Sequence, residues 1–388
     1  MTTDLELNND ILSAPLYVAG ISVEEIKERY GLDSVIKLAS NENPLGPSPK
    51  ALAAMREVLP NISRYPPVAD DSLRERLAAT LGHGLTPENF VTAKGCGEVL
   101  GMIGRAFVRK GDEVIICPPT FLLYEIFTKM NGGQCVFVEL EGKEFRYNLD
   151  KVLDRINDRT RLIFICNPNN PTGGILTQKE MDRFLAQVPP HVIVILDEAY
   201  CHFVTEDDFP DSLAYVQQEH NVIVTRTFSK VYGLAGLRVG FCVARQELAQ
   251  YLRHLALPFH IDVLALAGAM AALGDQEHVE KTVQLIAVER EYLHSGLAAL
   301  DLDYIPSQAS FISFDAGCDP QLIYEEMLKE GVIVRPMGSF RLPTHVRVSV
   351  GTREENERFL AALRRTLDGL KGKEMMDTGP VRQGKLVI

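Results

Sequence analysis

Four short stretches carry residues suited to chemistry, and they follow one another in a fixed order. The first, Lys94-Gly95-Cys96-Gly97-Glu98, comes after the apolar run 90–92 and opens a helical pattern over 99–108. Glycines there let backbone N–H groups close on a phosphate at a helix N-terminus; a plain strand-to-helix turn has the same composition. The second, Asn167-Pro168-Asn169-Asn170-Pro171-Thr172-Gly173-Gly174, follows the run 162–166 and reads equally as a turn rich in Pro, Gly and Asn. The third, Asp197-Glu198-Ala199-Tyr200, sets a carboxylate at the end of the run 192–196, where capping is the commoner task of an aspartate.

The fourth stretch is Thr227-Phe228-Ser229-Lys230, with Gly233-Leu234-Ala235-Gly236-Leu237-Arg238 behind it. Most lysines are solvated surface groups. One lodged between an apolar strand and a Gly-rich turn is poorly placed for that, and desolvation there lowers its pKa and makes the amine a nucleophile. The spacing Gly95-x-Gly97-x-x-x-Gly101 also suggests a dinucleotide loop, but that reading wants an acidic residue at the end of the next strand to hold a ribose. The next strand ends Ile116-Cys117-Pro118-Pro119, so a dehydrogenase is disfavoured.

Something must hold these loops. The runs 114–117, 135–138, 162–166, 192–196, 222–225 and 239–243 are apolar without polar alternation, as strands of a parallel sheet covered on both faces by helices are. Open sheets of that kind take their ligands beyond the carboxyl ends of the strands, which is where all four stretches fall. From 262 to 300 the pattern turns helical, softened at Gly268 and Gly274. Strand-like pieces follow at 310–314, 332–335 and 345–350, then a helix with Phe359, Leu360, Leu363 and Leu367 on one face. The expected fold is α/β: a large domain at 48–285 with a mostly parallel sheet flanked by helices, and a smaller α+β domain from 1–47 and 286–370. Residues 371–388 show no clear periodicity and are expected to form a tail.

A chain of 388 residues suits a large domain plus a smaller one. Its formal net charge of −12 speaks against nucleic-acid partners, which need a basic stripe. The seven cysteines sit mostly in apolar runs, never as Cys-x-x-Cys, and read as reduced thiols rather than disulfides or a zinc site. The first ten residues are polar and acidic, unlike a secretory signal, and no run reaches the length of a membrane span. Cytoplasmic residence, without membrane or metal, is expected.

The ordered set resembles the aspartate-aminotransferase superfamily of fold type I pyridoxal-phosphate enzymes, and within it the histidinol-phosphate aminotransferases. The carrying residues are 40–46 (Ser-Asn-Glu-Asn-Pro-Leu-Gly), Arg64-Tyr65-Pro66, 167–173, 197–200, Ser229-Lys230 with 234–238, and 347–352 (Arg-Val-Ser-Val-Gly-Thr), and the likeness extends over about 14–370. It implies that Lys230 holds the cofactor as a Schiff base and moves the substrate proton, and that Asp197 pairs with the pyridine nitrogen. By the same likeness Asn170 and Tyr200 bond the ring hydroxyl, and Tyr124 stacks on the ring. Backbone at Cys96 and Gly97, with Thr227, Ser229 and Arg238, would hold the phosphate. Tyr65 would reach that phosphate from the other subunit of a homodimer with shared sites.

Tyr17, Asn43, Arg335 and Arg347 are assigned by the resemblance to the substrates, a small amino donor and a 2-oxo acid. Relatives usually carry Gly-x-Gly-Ser-Asp-Glu at the first loop, where this chain has Ala93-Lys94-Gly95-Cys96-Gly97-Glu98; backbone donors survive that change, while side-chain roles at 96 and 97 do not carry over. The resemblance implies transfer of nitrogen from histidinol phosphate to 2-oxoglutarate in histidine synthesis. An aromatic amino-acid aminotransferase and a threonine-phosphate decarboxylase use the same scaffold.

Overall fold

The computed structural model describes residues 9–16, 20–68 and 70–377. At its centre lie seven strands in the order Phe90–Ala93, Gly240–Ala244, Val222–Thr227, Ile193–Asp197, Thr160–Cys166, Glu113–Ile116 and Gln134–Phe137. Successive residues of these strands point into different cores. Ile115, Ile163, Val194 and Val224 join the core on one face; Val114, Ile116, Leu162, Phe164, Ile195 and Ile223 join that on the other. Burial on both faces is why their sequences show no polar alternation.

Six strands run parallel, and Gly240–Ala244 runs against both neighbours. The run 239–243 is therefore antiparallel, contrary to the reading of it as one more parallel strand. Val222–Thr227 and Gly240–Ala244 are joined without an α-helix between them, and a parallel return needs a crossover, usually helical. The reversal has a consequence for the loops: Gly240 lies beside both Ala93 and Thr227, so the chain re-enters the sheet at the edge where its neighbours leave it. Arg238 is thereby returned to the first and fourth loops.

A second sheet, entirely antiparallel, has the order Arg335–Pro336, His345–Ser349, Phe311–Asp315, Tyr304–Ile305. The N-terminal segment joins this part of the chain through Ile36–Lys37, which pairs in parallel with Val332–Ile333. The helix Gln276–Ala298 passes unbroken across residue 285, and Gly274, not Gly268, separates it from Val263–Leu273. At Gly268 a β-carbon would stand 2.9 Å from Leu237 Cδ1, so that glycine serves close packing. The final helix, Arg353–Asp377, continues past 370 into the stretch expected to be a tail.

Candidate active site

The carboxyl ends of the strands Phe90–Ala93, Thr160–Cys166, Ile193–Asp197 and Val222–Thr227 open on a cavity of about 480 Å³, a size suited to a small ligand. Neighbouring registers bring the loops together: Cys166 faces Asp197, and Asp197 faces Thr225. Arg335 and Arg347, opposite one another in the second sheet, close the cavity from the other side.

Lys230 stands in this space with its Nζ donating to the carbonyls of Ser40 (3.0 Å) and Asn41 (3.1 Å). Burial, and next the positive charge of Arg347, push its pKa down to about 8. A lysine so placed yields a neutral amine far more readily than a surface one. The ring of Tyr200 lies 5.4 Å from the same nitrogen, and burial pushes its hydroxyl up to about 12, so that it stays protonated and able to donate.

Asp197 is 3% exposed and lines the cavity. Its Oδ2 accepts from Tyr124 Oη at 2.7 Å and its Oδ1 from the Ala199 N–H at 3.3 Å. Burial raises its pKa above the ordinary carboxylate value, the mark of a buried anion that would gain from a cationic partner. Asn170 uses its side-chain oxygen to accept from Arg347 Nη1, which leaves its NH2 as the group able to donate into the cavity. Arg347 also donates to the Ala39 carbonyl at 3.0 Å.

Another wall has the make-up of an anion cup. The helix Cys96–Phe107 begins at the cavity, so its first N–H groups have no partner within the helix. Arg238, at φ 52°, donates through Nη1 to Ser229 Oγ (3.4 Å) and the Ala235 carbonyl (3.0 Å), and the Ser229 N–H donates to Thr227 Oγ1 (3.0 Å). Two glycines keep the cup open. A β-carbon on Gly95, itself at φ +82°, would stand 2.5 Å from Arg238 Nη2, and one on Gly240 would stand 2.6 Å from the Cys96 N–H nitrogen. The Cys96 thiol donates to the Arg226 carbonyl at 3.0 Å, and burial holds it protonated, so the backbone and not the sulfur is offered to an anion.

Cys96, Gly97, Asn170, Asp197, Tyr200, Thr227, Ser229, Lys230, Arg238, Arg335 and Arg347 thus line one cavity. Two other residues assigned by resemblance to the chain's own site, Tyr124 and Asn43, do not line it. Tyr124 is fully buried, its ring stacked on Phe164 with centroids 4.5 Å apart, so its face is not open to a ligand; Phe121 lines the cavity instead. Asn43 donates to the Val231 carbonyl (2.9 Å) and Thr282 Oγ1 (3.2 Å) while accepting from the Leu45 N–H, a turn-holding role. Tyr65, assigned by the resemblance to the other subunit's phosphate, is 82% exposed and stacked on Phe259. Tyr17 lies outside the described residues.

Asn41, Glu42 and Phe121 line the cavity and were not singled out from the sequence as site residues. The first two stood inside the stretch 40–46 that carried the resemblance, and Phe121 stands three positions before the tyrosine chosen. A cavity that sets a nucleophilic amine, a buried carboxylate and an anion cup around one small space is that of an enzyme using a phosphorylated organic cofactor. The chain belongs to the aminotransferase class I and II family, whose model matches residues 33–363.

It is 45% identical over 358 residues to a histidinol-phosphate aminotransferase of Moorella thermoacetica, covering 92% of each chain. It is 42% identical to one of an Anaeromyxobacter species, covering 92% of this chain and 98% of that one. A solved histidinol-phosphate aminotransferase from Sinorhizobium meliloti, in complex with pyridoxal-5'-phosphate, superposes with TM-score 0.85 at 26% identity, over 95% of this chain and 100% of that one. An aspartate aminotransferase double mutant of Thermus thermophilus gives 0.81 at 26% identity, over 93% of this chain and 100% of that one.

Proposed function

We propose that this chain is a pyridoxal-phosphate-dependent histidinol-phosphate aminotransferase, passing nitrogen from histidinol phosphate to 2-oxoglutarate in histidine biosynthesis. The observation that carries the reading is the placing of Lys230, Asp197 and the Arg238 cup around one cavity. These groups fit pyridoxal phosphate part by part: an amine for its aldehyde, an anion for its ring nitrogen, and helix amides with a guanidinium for its phosphate. When bound, the cofactor supplies an electron sink that makes the α-proton of an attached amine acidic.

The chain's own residues do the rest. Lys230 would hold the cofactor through its amine and would serve as the base at the substrate's α-carbon. Asp197 keeps the ring nitrogen protonated. Asn170 and Tyr200 donate to the ring hydroxyl oxygen. Arg347 receives the α-carboxylate of the 2-oxo acid, for which a planar guanidinium meets both oxygens at once. Arg335, facing it across the strand pair, takes the phosphate ester of histidinol phosphate, which bears about two negative charges at neutral pH.

The enzyme acts as a cytoplasmic homodimer in which Tyr65, with Tyr17, serves the neighbouring subunit's cavity. Exposure of Tyr65 beside exposed Ile62 and Val68 supports such a covered surface. Among the described residues no helix is long and apolar enough to cross a membrane. The deciding experiment incubates purified protein with 2-oxoglutarate and, in turn, histidinol phosphate, phenylalanine and threonine phosphate, and measures glutamate. Preference for histidinol phosphate is expected. Faster turnover of phenylalanine would reassign the substrate, and no glutamate from any amine would overturn transamination of these amines.

A further inference from the structure

Asn41 has every polar atom engaged. It is 2% exposed, at φ +54°. Its N–H donates to Ser349 Oγ (2.8 Å), its Oδ1 accepts from the same hydroxyl (3.0 Å), its Nδ2 donates to Tyr200 Oη (3.0 Å), and its carbonyl accepts from Lys230 (3.1 Å). Asparagine tolerates the left-handed region better than most residues, and here that turn sends the Ser40 and Asn41 carbonyls to one ammonium group. The partners come from the lysine loop, the Asp197 loop and the second sheet.

These bonds settle proton directions. Ser349 accepts the backbone N–H and gives its own proton to Oδ1, so the amide NH2 faces Tyr200. A tyrosine hydroxyl has a single proton. With Asn41 donating to its oxygen, that proton cannot be spent on Asn41 and is available to the cavity that Tyr200 lines. We propose that Asn41 is a positioning residue: it aims the Tyr200 proton at the ring oxygen of the bound cofactor, and so lowers the pH at which the Lys230 linkage nitrogen loses its proton. The inference rests on the pyridoxal-phosphate reading above. A donor held on the ring oxygen stabilises its anion, and a stabilised anion holds the neighbouring proton less tightly.

Asn41→Asp removes the donor with little change of shape and keeps an acceptor for Ser349. Tyr200 must then donate to the new carboxylate, turning its proton away from the cofactor. The test is a pH titration of the visible absorption band of the cofactor-loaded protein, made in wild type, Asn41→Asp, Tyr200→Phe and the double variant. Expected is an upward shift of the midpoint by about one unit in Asn41→Asp, a shift of the same sign in Tyr200→Phe, and little further shift when both are combined. An unchanged midpoint in Asn41→Asp overturns the proposal. So does a full shift that persists on the Tyr200→Phe background, since the added charge would then act without the tyrosine. If Asn41→Asp fails to fold or to retain cofactor, Ser349→Ala takes its place, because it releases the amide to turn; an unchanged midpoint there overturns the proposal equally. A wild-type protein that shows no visible band with pyridoxal phosphate overturns the cofactor reading itself, and this inference with it.

Discussion

The hydroxyl of Tyr124 donates to Oδ2 of Asp197 across 2.7 Å, at the end of a ring stacked on Phe164. The tyrosine therefore fixes the carboxylate that would face the cofactor nitrogen, and it does so from behind the cavity wall. A hydrogen bond to a charged group contributes roughly 1.5–3 kcal/mol, so Tyr124→Phe is expected to lower kcat/KM by up to about 10- to 150-fold while leaving cofactor bound. Asp197→Asn should keep cofactor and lose most turnover, because an amide cannot hold a cationic nitrogen. Wild-type kinetics in both variants would reduce the pair to packing.

Lys230 gives a pH prediction. Its pKa in the folded chain, about 8, lies below its ordinary value of 10.5. Attachment of the cofactor to the apoprotein needs the neutral amine, so its rate should rise as pH climbs through about 8. Between those two values the unfolded chain binds more protons than the folded one, so this residue makes the apoprotein more stable as pH rises through that window. Lys230→Met should flatten that rise in denaturant titrations. Borohydride reduction followed by peptide mass spectrometry should place the cofactor on Lys230; a label on another lysine would defeat the assignment.

The cup can be filled from inside. Gly240→Ala drives a β-carbon to 2.6 Å from the Cys96 nitrogen, and overpacking of that kind costs about 1–3 kcal/mol, or roughly 5- to 150-fold in cofactor Kd if it falls on the bound state. Gly236→Ala, with nothing within 4 Å of the added carbon, is the control and should leave affinity alone. Equal affinities in the two variants, measured by dialysis against graded pyridoxal phosphate, would place the phosphate elsewhere.

Arg335 and Arg347 should separate the two half-reactions. Arg335→Ala is expected to cost histidinol phosphate about 2–4 kcal/mol in transition-state binding, or roughly 30- to 1000-fold in kcat/KM, and glutamate much less. Arg347→Ala should damage both, since its guanidinium also holds Asn170. Equal losses for the two substrates in Arg335→Ala would leave the phosphate site unsupported.

Shared active sites predict complementation. Mixing inactive Tyr65 and Lys230 variants under conditions of subunit exchange should regenerate activity in hybrid dimers. Absence of recovery, with exchange demonstrated by mass or fluorescence, would confine each site to its own chain.

What the chain disclosed unfolded were the features that local chemistry dictates. Runs buried on both faces must be apolar throughout, so 162–166 and 192–196 read as interior strands, and the loops after them read as places for a ligand. Glycines and prolines mark the loops at 94–98 and 167–174 because backbone must approach a neighbour or turn sharply, as at Gly95 and Gly173. Lys230 stood out on its own, because a lysine between an apolar strand and a Gly-rich turn is poorly placed for solvent, whereas Asp197 and Arg238 took their roles only from the resemblance.

Direction was not legible. An apolar run looks the same pointing either way, so only the pairing of Gly240–Ala244 with both neighbours reveals the antiparallel strand that carries Arg238 home. Nor could spacing separate Phe121 from Tyr124, two aromatics on one turn, of which the first borders the cavity and the second supports Asp197 from behind. Asn41 shows the same limit most sharply. Its partners Tyr200, Lys230 and Ser349 lie far along the chain, and a hydrogen-bond hub among distant segments exists only once packing has set their distances.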